Sequence, residues 1–353
     1  MTDLLSALGW DADWESTFAS YADRGLVPAR VGRVDRGRFE VLTGDETLLA
    51  LGQIGAGTLI EQQPATGDWV ALDTQPEGLV ITDVLPRRTL IMRSSAGRRS
   101  EGQVMAANVD TVLIAVPLER ETKLGQLERF LTVAWESGGQ PLVVLTKADV
   151  ADDIETAQLR VEEAAPGATV LALSAETGEG MEALRAALGT TTALLGQSGA
   201  GKSTLVNTLA GEEVMATQET RQDGKGRHTT TTRELIALPG GGVLIDTPGL
   251  RGIGVHDASD GVAQSFSDIE ELAEACRFAD CVHETEPGCA VRGAITDGHL
   301  TERRLLSYRK QLREVEWAGR RNDPAARAAH AKRWARMTQA NKGLGQTKRS
   351  DRP

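Results

Sequence analysis

Residues 194–211 read LLGQSGAGKSTLVNTLAG: a short apolar run, a glycine-rich turn, then Lys202, Ser203 and a helical pattern. From Gly196 to Ser203 the stretch matches G-x-x-x-x-G-K-[ST]. In such a loop the backbone N–H groups cradle phosphates at a helix N-terminus, where the macrodipole also favours anions. Gly196, Gln197, Ser198, Gly199, Ala200, Gly201 and Thr204 therefore form a candidate phosphate site. Lys202 is expected to neutralise the β- and γ-phosphates, and the Ser203 hydroxyl to ligate Mg²⁺. A phosphate loop usually opens a small GTP-binding domain, yet here 195 residues precede Gly196.

The preceding text explains the displacement. From residue 110 strand-like and helix-like segments alternate: strands over 110–116, 141–145, 169–173 and 191–195, helices over 124–136, 154–164 and 180–188. Two further strands, ELIAL and GVLID, follow the loop. This alternation predicts an α/β domain on a mostly parallel sheet. The 141–145 strand runs into Thr146-Lys147-Ala148-Asp149, and the 169–173 strand into Ser174-Ala175. Both lie past a strand's C-terminal end, where open α/β sheets bind ligands. TKAD resembles the guanine-reading [NT]-K-x-D element, whose carboxylate accepts from the two N–H groups on guanine's Watson–Crick edge while the Lys stem covers the base. Ser174-Ala175 resembles the adjoining loop, with the Ala175 N–H meeting the guanine carbonyl. Alone, Asp149 also reads as a helix cap. Downstream, VLIDTPG supplies D-x-x-G from Asp246 to Gly249. Asp246 would hold Mg²⁺ through water, and the Gly249 N–H would meet the γ-phosphate. The order is base reader, second base loop, phosphate loop, switch I, switch II: a circularly permuted GTPase domain.

Flanking segments complete a multidomain α/β chain. Residues 1–27 read as a helical extension. Residues 28–85 hold five short strand-like runs separated by turn residues, which fits an OB-fold barrel. Phe39 and Trp69 are its candidate base-stacking aromatics, or simply core, and Arg30, Arg33, Arg36 and Arg38 are candidates to track a phosphate backbone. Residues 86–103 read as a basic linker with no clean period. The expected division is an extension over 1–27, the OB-fold over 28–92, the permuted GTPase over 100–254, and a zinc-binding helical domain with a basic arm over 255–353. All three cysteines fall within 276–289, and Cys276, Cys281, His283 and Cys289 give C-x₄-C-x-H-x₅-C. Three thiolates and one imidazole form a closed tetrahedral set, which suits structural Zn²⁺ and leaves no open position for catalysis. Buried free thiols beside a chance histidine are the alternative.

Net charge is −11, but residues 301–353 carry 15 Lys/Arg against 5 Asp/Glu, a local +10 that leaves −21 on the rest. Such an arm fits an anionic partner or a solvated helical face. No apolar run is long enough to span a membrane. The acidic N-terminus lacks the positive charge of a signal peptide, so a cytoplasmic protein is expected.

Permuted order, a preceding barrel and a following Cys/His cluster together resemble the ribosome small-subunit-dependent GTPase A (RsgA, YjeQ) family. The resemblance runs through LGWDADWE, GDWV, AANVDTVLIAV, LTKAD, GQSGAGKST, GRHTTTT, DTPG and the cysteine stretch. It implies a monomeric GTPase, stimulated by the small ribosomal subunit, that binds rRNA late in maturation and promotes release of other assembly factors. By the family's alignment Thr230, with Thr229 close behind, is the switch threonine that closes onto Mg²⁺. Leu250 follows D-x-x-G where many GTPases place a water-orienting Gln, and an apolar side chain cannot orient water. His228 is the candidate for that role. The resemblance also implies Zn²⁺ on the four Cys/His ligands. Switch II lies shortly upstream of Cys276, so γ-phosphate loss is expected to move an RNA-binding arm. Two other classes compete: a GTP-driven zinc chaperone, and a signalling switch that recruits proteins through the barrel.

Overall fold

The computed structural model describes residues 2–35, 37–44, 46–52, 63–75, 78–93, 103–215, 233–247 and 258–322. His228, Thr229, Thr230, Gly249 and Leu250, like Arg36, lie outside them, as do residues beyond 322.

Two helices, α1 (Thr2–Ala7) and α2 (Ala12–Ala22), open the chain. Asp11 caps α2 by accepting from the Trp14 N–H. Five strands follow: β1 (Val27–Asp35), β2 (Arg38–Leu42), β3 (Thr47–Gly52), β4 (Trp69–Gln75) and β5 (Gly78–Val84). They pair in the order β1-β2-β3-β5-β4 and back to β1, which closes an OB-like barrel. Closure leaves no free edge inside the barrel. Its interior holds Ala29, Val31, Val41, Ala50, Val70, Leu72 and Ile81.

The segment read as a basic linker with no clean period contributes a strand. β6 (Leu90–Arg93) pairs antiparallel with β7 (Gln103–Ala107), and the intervening residues hid that pairing from local periodicity. The α/β domain then alternates as expected: β8 (Thr111–Pro117), α3 (Leu124–Glu136), β9 (Gln140–Thr146), α4 (Ile154–Ala164), β10 (Thr169–Ala172), α5 (Met181–Ala187), β11 (Thr191–Gly196), α6 (Lys202–Ala210), β12 (Glu234–Ala237) and β13 (Val243–Asp246). The sheet order is β10-β9-β8-β11-β13-β12, parallel except for β12. Within this domain β8, β9 and β10 lie on one side of β11 and β13 and β12 on the other, and β12 also pairs with β1 of the barrel. β8 is buried along its whole length, as befits a strand covered on both faces. Val112, Ile114 and Val116 pack on one layer with Leu127, Leu131 and Val161, while Leu113 and Ala115 face Leu184, Leu205 and Leu209 on the other.

A helical module closes the described chain: α7 (Ser259–Ser265), α8 (Ser267–Glu274), α9 (Ala290–Thr296) and α10 (Glu302–Asn322). It docks on α3. A Cβ at Gly261 would stand 2.3 Å from the Thr132 carbonyl oxygen, so α7 needs glycine there to approach. Glu128 of α3 is fully buried and receives both Arg303 and Arg304 of α10. Arg304 also forks onto Asp268 at 2.7 Å and stacks over Phe266 at 4.7 Å.

The barrel corrects one sequence expectation, that of Arg30, and decides another in favour of core, that of Phe39 and Trp69. Arg30 is 1% exposed and donates to the carbonyls of Gly67 and Leu8 and to Thr191 Oγ1, so it ties barrel, N-terminal extension and α/β domain together. Trp69 is 1% exposed and packs edge-on to Trp10 at 4.7 Å, and Phe39 is also buried. Neither aromatic offers a face to a base. No helix among the described residues is long and apolar enough to cross a membrane.

Candidate nucleotide site and metal centre

Three loops meet at the C-terminal edge of the parallel sheet. The first runs from β11 to α6. Gly196 has φ 146°, and a Cβ there would stand 2.7 Å from the Ala115 carbonyl oxygen, so the turn off the strand requires glycine. Lys202, the first residue of α6, turns back over this loop: its ammonium donates to the carbonyls of Gly196 (2.9 Å) and Gln197 (2.7 Å).

The second loop leaves β9. Thr146 is buried and its hydroxyl donates to the Ala200 carbonyl at 2.9 Å, which binds the TKAD segment directly to the phosphate loop. Lys147 follows in the left-handed region at φ 61° and opens the short 3-10 turn Ala148–Val150. An ideal Cβ on Gly201 would lie 3.9 Å from Lys147 Cε, so the lysine stem runs along the phosphate loop. The third loop leaves β10. The buried Ser174 hydroxyl donates to Asp149 Oδ1 at 2.6 Å and accepts from the Thr177 N–H at 3.2 Å. Thr208 of α6 donates to the Ala175 carbonyl at 3.5 Å. The structure thus brings together the described residues of all three motifs.

Asp246 ends β13 beside Leu194 of β11, and Thr247 donates to the Leu194 carbonyl at 2.7 Å. Burial raises the Asp246 carboxyl above its ordinary value, the Lys202 charge opposes that rise, and Glu234 adds to it. An acid held there suits a divalent cation, which would compensate the buried charge.

Sequence reading missed two residues at this edge. Glu119 pairs with the Lys147 ammonium, and Arg120 donates to the Ser198 carbonyl at 3.1 Å. Both sit in the turn between β8 and α3, where no motif marks them.

The cysteine stretch folds into a compact set. Cys276 follows α8, Cys281 and His283 lie in the next loop, and Cys289 caps α9 by accepting from the Arg292 N–H. The four candidate ligand atoms all lie within 4.8 Å of one another. His283 Nδ1 is 3.4 Å from Cys289 Sγ and 3.6 Å from Cys276 Sγ, and those two sulfurs are 3.9 Å apart. A tetrahedral zinc with ordinary bond lengths requires separations of about 3.5 Å (N to S) and about 3.8 Å (S to S), so the set fits. Burial, then the Arg309 charge, holds the His283 imidazole below its ordinary value, in the neutral form that ligates metal. Glu286, also missed from sequence, shapes the loop by accepting three backbone N–H groups, from Val282, Glu284 and Thr285.

Comparison with known proteins bears directly on this geometry. A family model described as RsgA GTPase matches residues 84–256. The small ribosomal subunit biogenesis GTPase RsgA of Streptomyces coelicolor is 54% identical, over 98% of this chain and 96% of that protein. This chain belongs to the RsgA GTPase family. Its Opitutus terrae relative of the same name is 43% identical, over 96% of this chain and 97% of that one. Among solved structures, YjeQ from Thermotoga maritima superposes with a TM-score of 0.61 at 28% identity, over 82% of this chain and 98% of that one. YloQ, a circularly permuted GTPase, shares the fold with a TM-score of 0.57 at 22% identity, over 82% of this chain and 95% of that one. As a member of the RsgA family the chain carries a guanine-nucleotide site, and its Cys₃His cluster is a candidate metal site whose spacing is compatible with zinc.

Proposed function

We propose that the protein binds GTP across the three loops, hydrolyses it to GDP and phosphate, and acts in the maturation of the small ribosomal subunit. The observation that carries this reading is the bonded convergence of Thr146 with Ala200 and of Ser174 with Asp149 beside the phosphate loop. Asp149 reads the guanine edge, the Ala175 N–H meets its carbonyl oxygen, and the Lys147 stem covers its plane. The backbone from Gly196 to Thr204 holds the phosphates, with Lys202 across them. Mg²⁺, held by Ser203, Thr230 and, through water, Asp246, would neutralise charge on the β- and γ-phosphates. The Gly249 N–H meets the γ-phosphate, and His228 orients the attacking water. Zn²⁺ on Cys276, Cys281, His283 and Cys289 holds the helical module together and takes no part in hydrolysis.

The partner is the small ribosomal subunit, as the names of the relatives suggest; on it the protein binds rRNA, promotes release of other assembly factors and itself leaves after hydrolysis. The protein works as a cytoplasmic monomer, and its functional units follow the division 1–27, 28–92, 100–254 and 255–353. Metal delivery and signalling through the barrel lose their support, because the family is named for neither. The test is GTP turnover with purified small subunits, large subunits and free RNA. Stimulation by small subunits alone is expected; equal rates in all three would overturn the ribosomal role while leaving the GTPase.

A further inference from the structure

The turn between β8 and α3 touches both nucleotide loops, and one of its residues has no role in the reading above. Glu119 meets the Lys147 ammonium, with side chains 39% and 33% exposed. The residues around it are themselves anchored. The Leu118 N–H donates to the Thr146 carbonyl at 3.0 Å, and Arg120 donates to the Ser198 carbonyl at 3.1 Å. Glu119 is therefore held between a bond to the base loop and a bond to the phosphate loop. A carboxylate placed in this way loses less conformational freedom on pairing than one on an open surface, where that loss is the usual reason ion pairs contribute little.

Lys147 is the residue that needs such a partner. Its backbone sits at φ 61°, and its stem passes along Gly201. A four-carbon stem with a free ammonium samples many rotamers, and only some of them lay the methylenes flat. Fixing the head at one end fixes the stem.

We propose that Glu119 is a positioning residue for guanine-nucleotide binding: by holding the Lys147 ammonium, it keeps the lysine stem in place to cover the base. This rests on the reading of Lys147 as the base-covering lysine. Because the stem covers the ring plane and does not read its edge, Glu119 acts on purine-nucleotide affinity and not on the choice of guanine, which belongs to Asp149. GDP and GTP are affected alike, since the contact lies away from the γ-phosphate.

The test is a double-mutant cycle in the full-length protein, with dissociation constants for GDP and a GTP analogue, kcat and KM, and melting temperatures for every variant. Glu119→Gln is expected to raise both dissociation constants about threefold to fivefold, the scale of a partly exposed ion pair. KM should rise with them, kcat at saturating GTP should move less than about twofold, and the melting temperature should hold. In a Lys147→Ala background the same Glu119→Gln change should have no further effect. An equal loss in both backgrounds, or no loss in either, overturns the inference. If Lys147→Ala weakens binding and Glu119→Gln does not, Glu119 fails while the base-loop reading stands. If Lys147→Ala itself leaves affinity unchanged in a folded protein, the base-loop reading fails and Glu119 falls with it.

Discussion

The Thr146 hydroxyl donates to the Ala200 carbonyl at 2.9 Å, across 54 positions of the chain. Many guanine-reading loops carry Asn at this place, and a shorter side chain raises the question of whether the brace survives. It does: Thr146 is buried at the end of β9, close enough for its single hydroxyl to reach the phosphate loop. Thr146→Val keeps the shape and removes the donor, leaving a buried carbonyl without this partner. Nucleotide titration should show affinity for GDP and GTP weakened about fivefold, equivalent to ~1 kcal/mol.

Docking of the helical module offers a contrast in magnitude. Arg304 is 4% exposed and Glu128 fully buried, whereas the Arg129–Glu314 pair is 23% and 34% exposed. Arg304→Met leaves the buried Glu128 carboxylate to Arg303 and takes the guanidinium fork from the one-third-exposed Asp268, and should cost ~2 kcal/mol in denaturant unfolding. Glu314→Gln should cost less than ~1 kcal/mol, because water already screens that pair.

Asp246 sets function against stability. Its folded-state pKa lies above the unfolded value, so its contribution is most favourable at low pH and is lost as pH rises through the folded value. At neutral pH the buried carboxylate is therefore a net burden. Asp246→Asn should raise the melting temperature of the nucleotide-free protein, as thermal unfolding would show. The same change should abolish Mg²⁺-dependent turnover. In the wild type, kcat/KM, which reports the nucleotide-free enzyme, should fall on the acid side at a higher pH than an exposed aspartate would dictate.

Metal content tests the cysteine cluster. Purified protein should carry one equivalent of zinc by elemental analysis, and Cys289→Ser should lose most of it. Because metal binding and folding are coupled in such sites, that variant should also become sensitive to proteolysis within 258–322.

Much of this architecture was legible in the chain. Helices over 124–136 and 154–164 appear where their spacing places them, because an amphipathic period of 3.6 is a local property. The five barrel runs and the buried strands were equally readable, as were the TKAD, Ser-Ala and phosphate-loop motifs. The pairing of β6 with β7 was not, since the residues between them conceal it. Arg30 was misplaced and Trp69 left undecided, because composition cannot tell a basic or aromatic residue facing water from one sealed beneath an N-terminal helix.

The sequence by itself determined the order of the nucleotide motifs, and hence the permutation, together with the four metal-ligand candidates. Those depend on residue type and spacing along the chain. Tertiary structure alone decided which loops are bonded to each other, that Glu119 stands against Lys147, and that α3 receives the helical module through Glu128. Such contacts join residues tens to hundreds of positions apart, and packing of whole elements, not local preference, sets their distances.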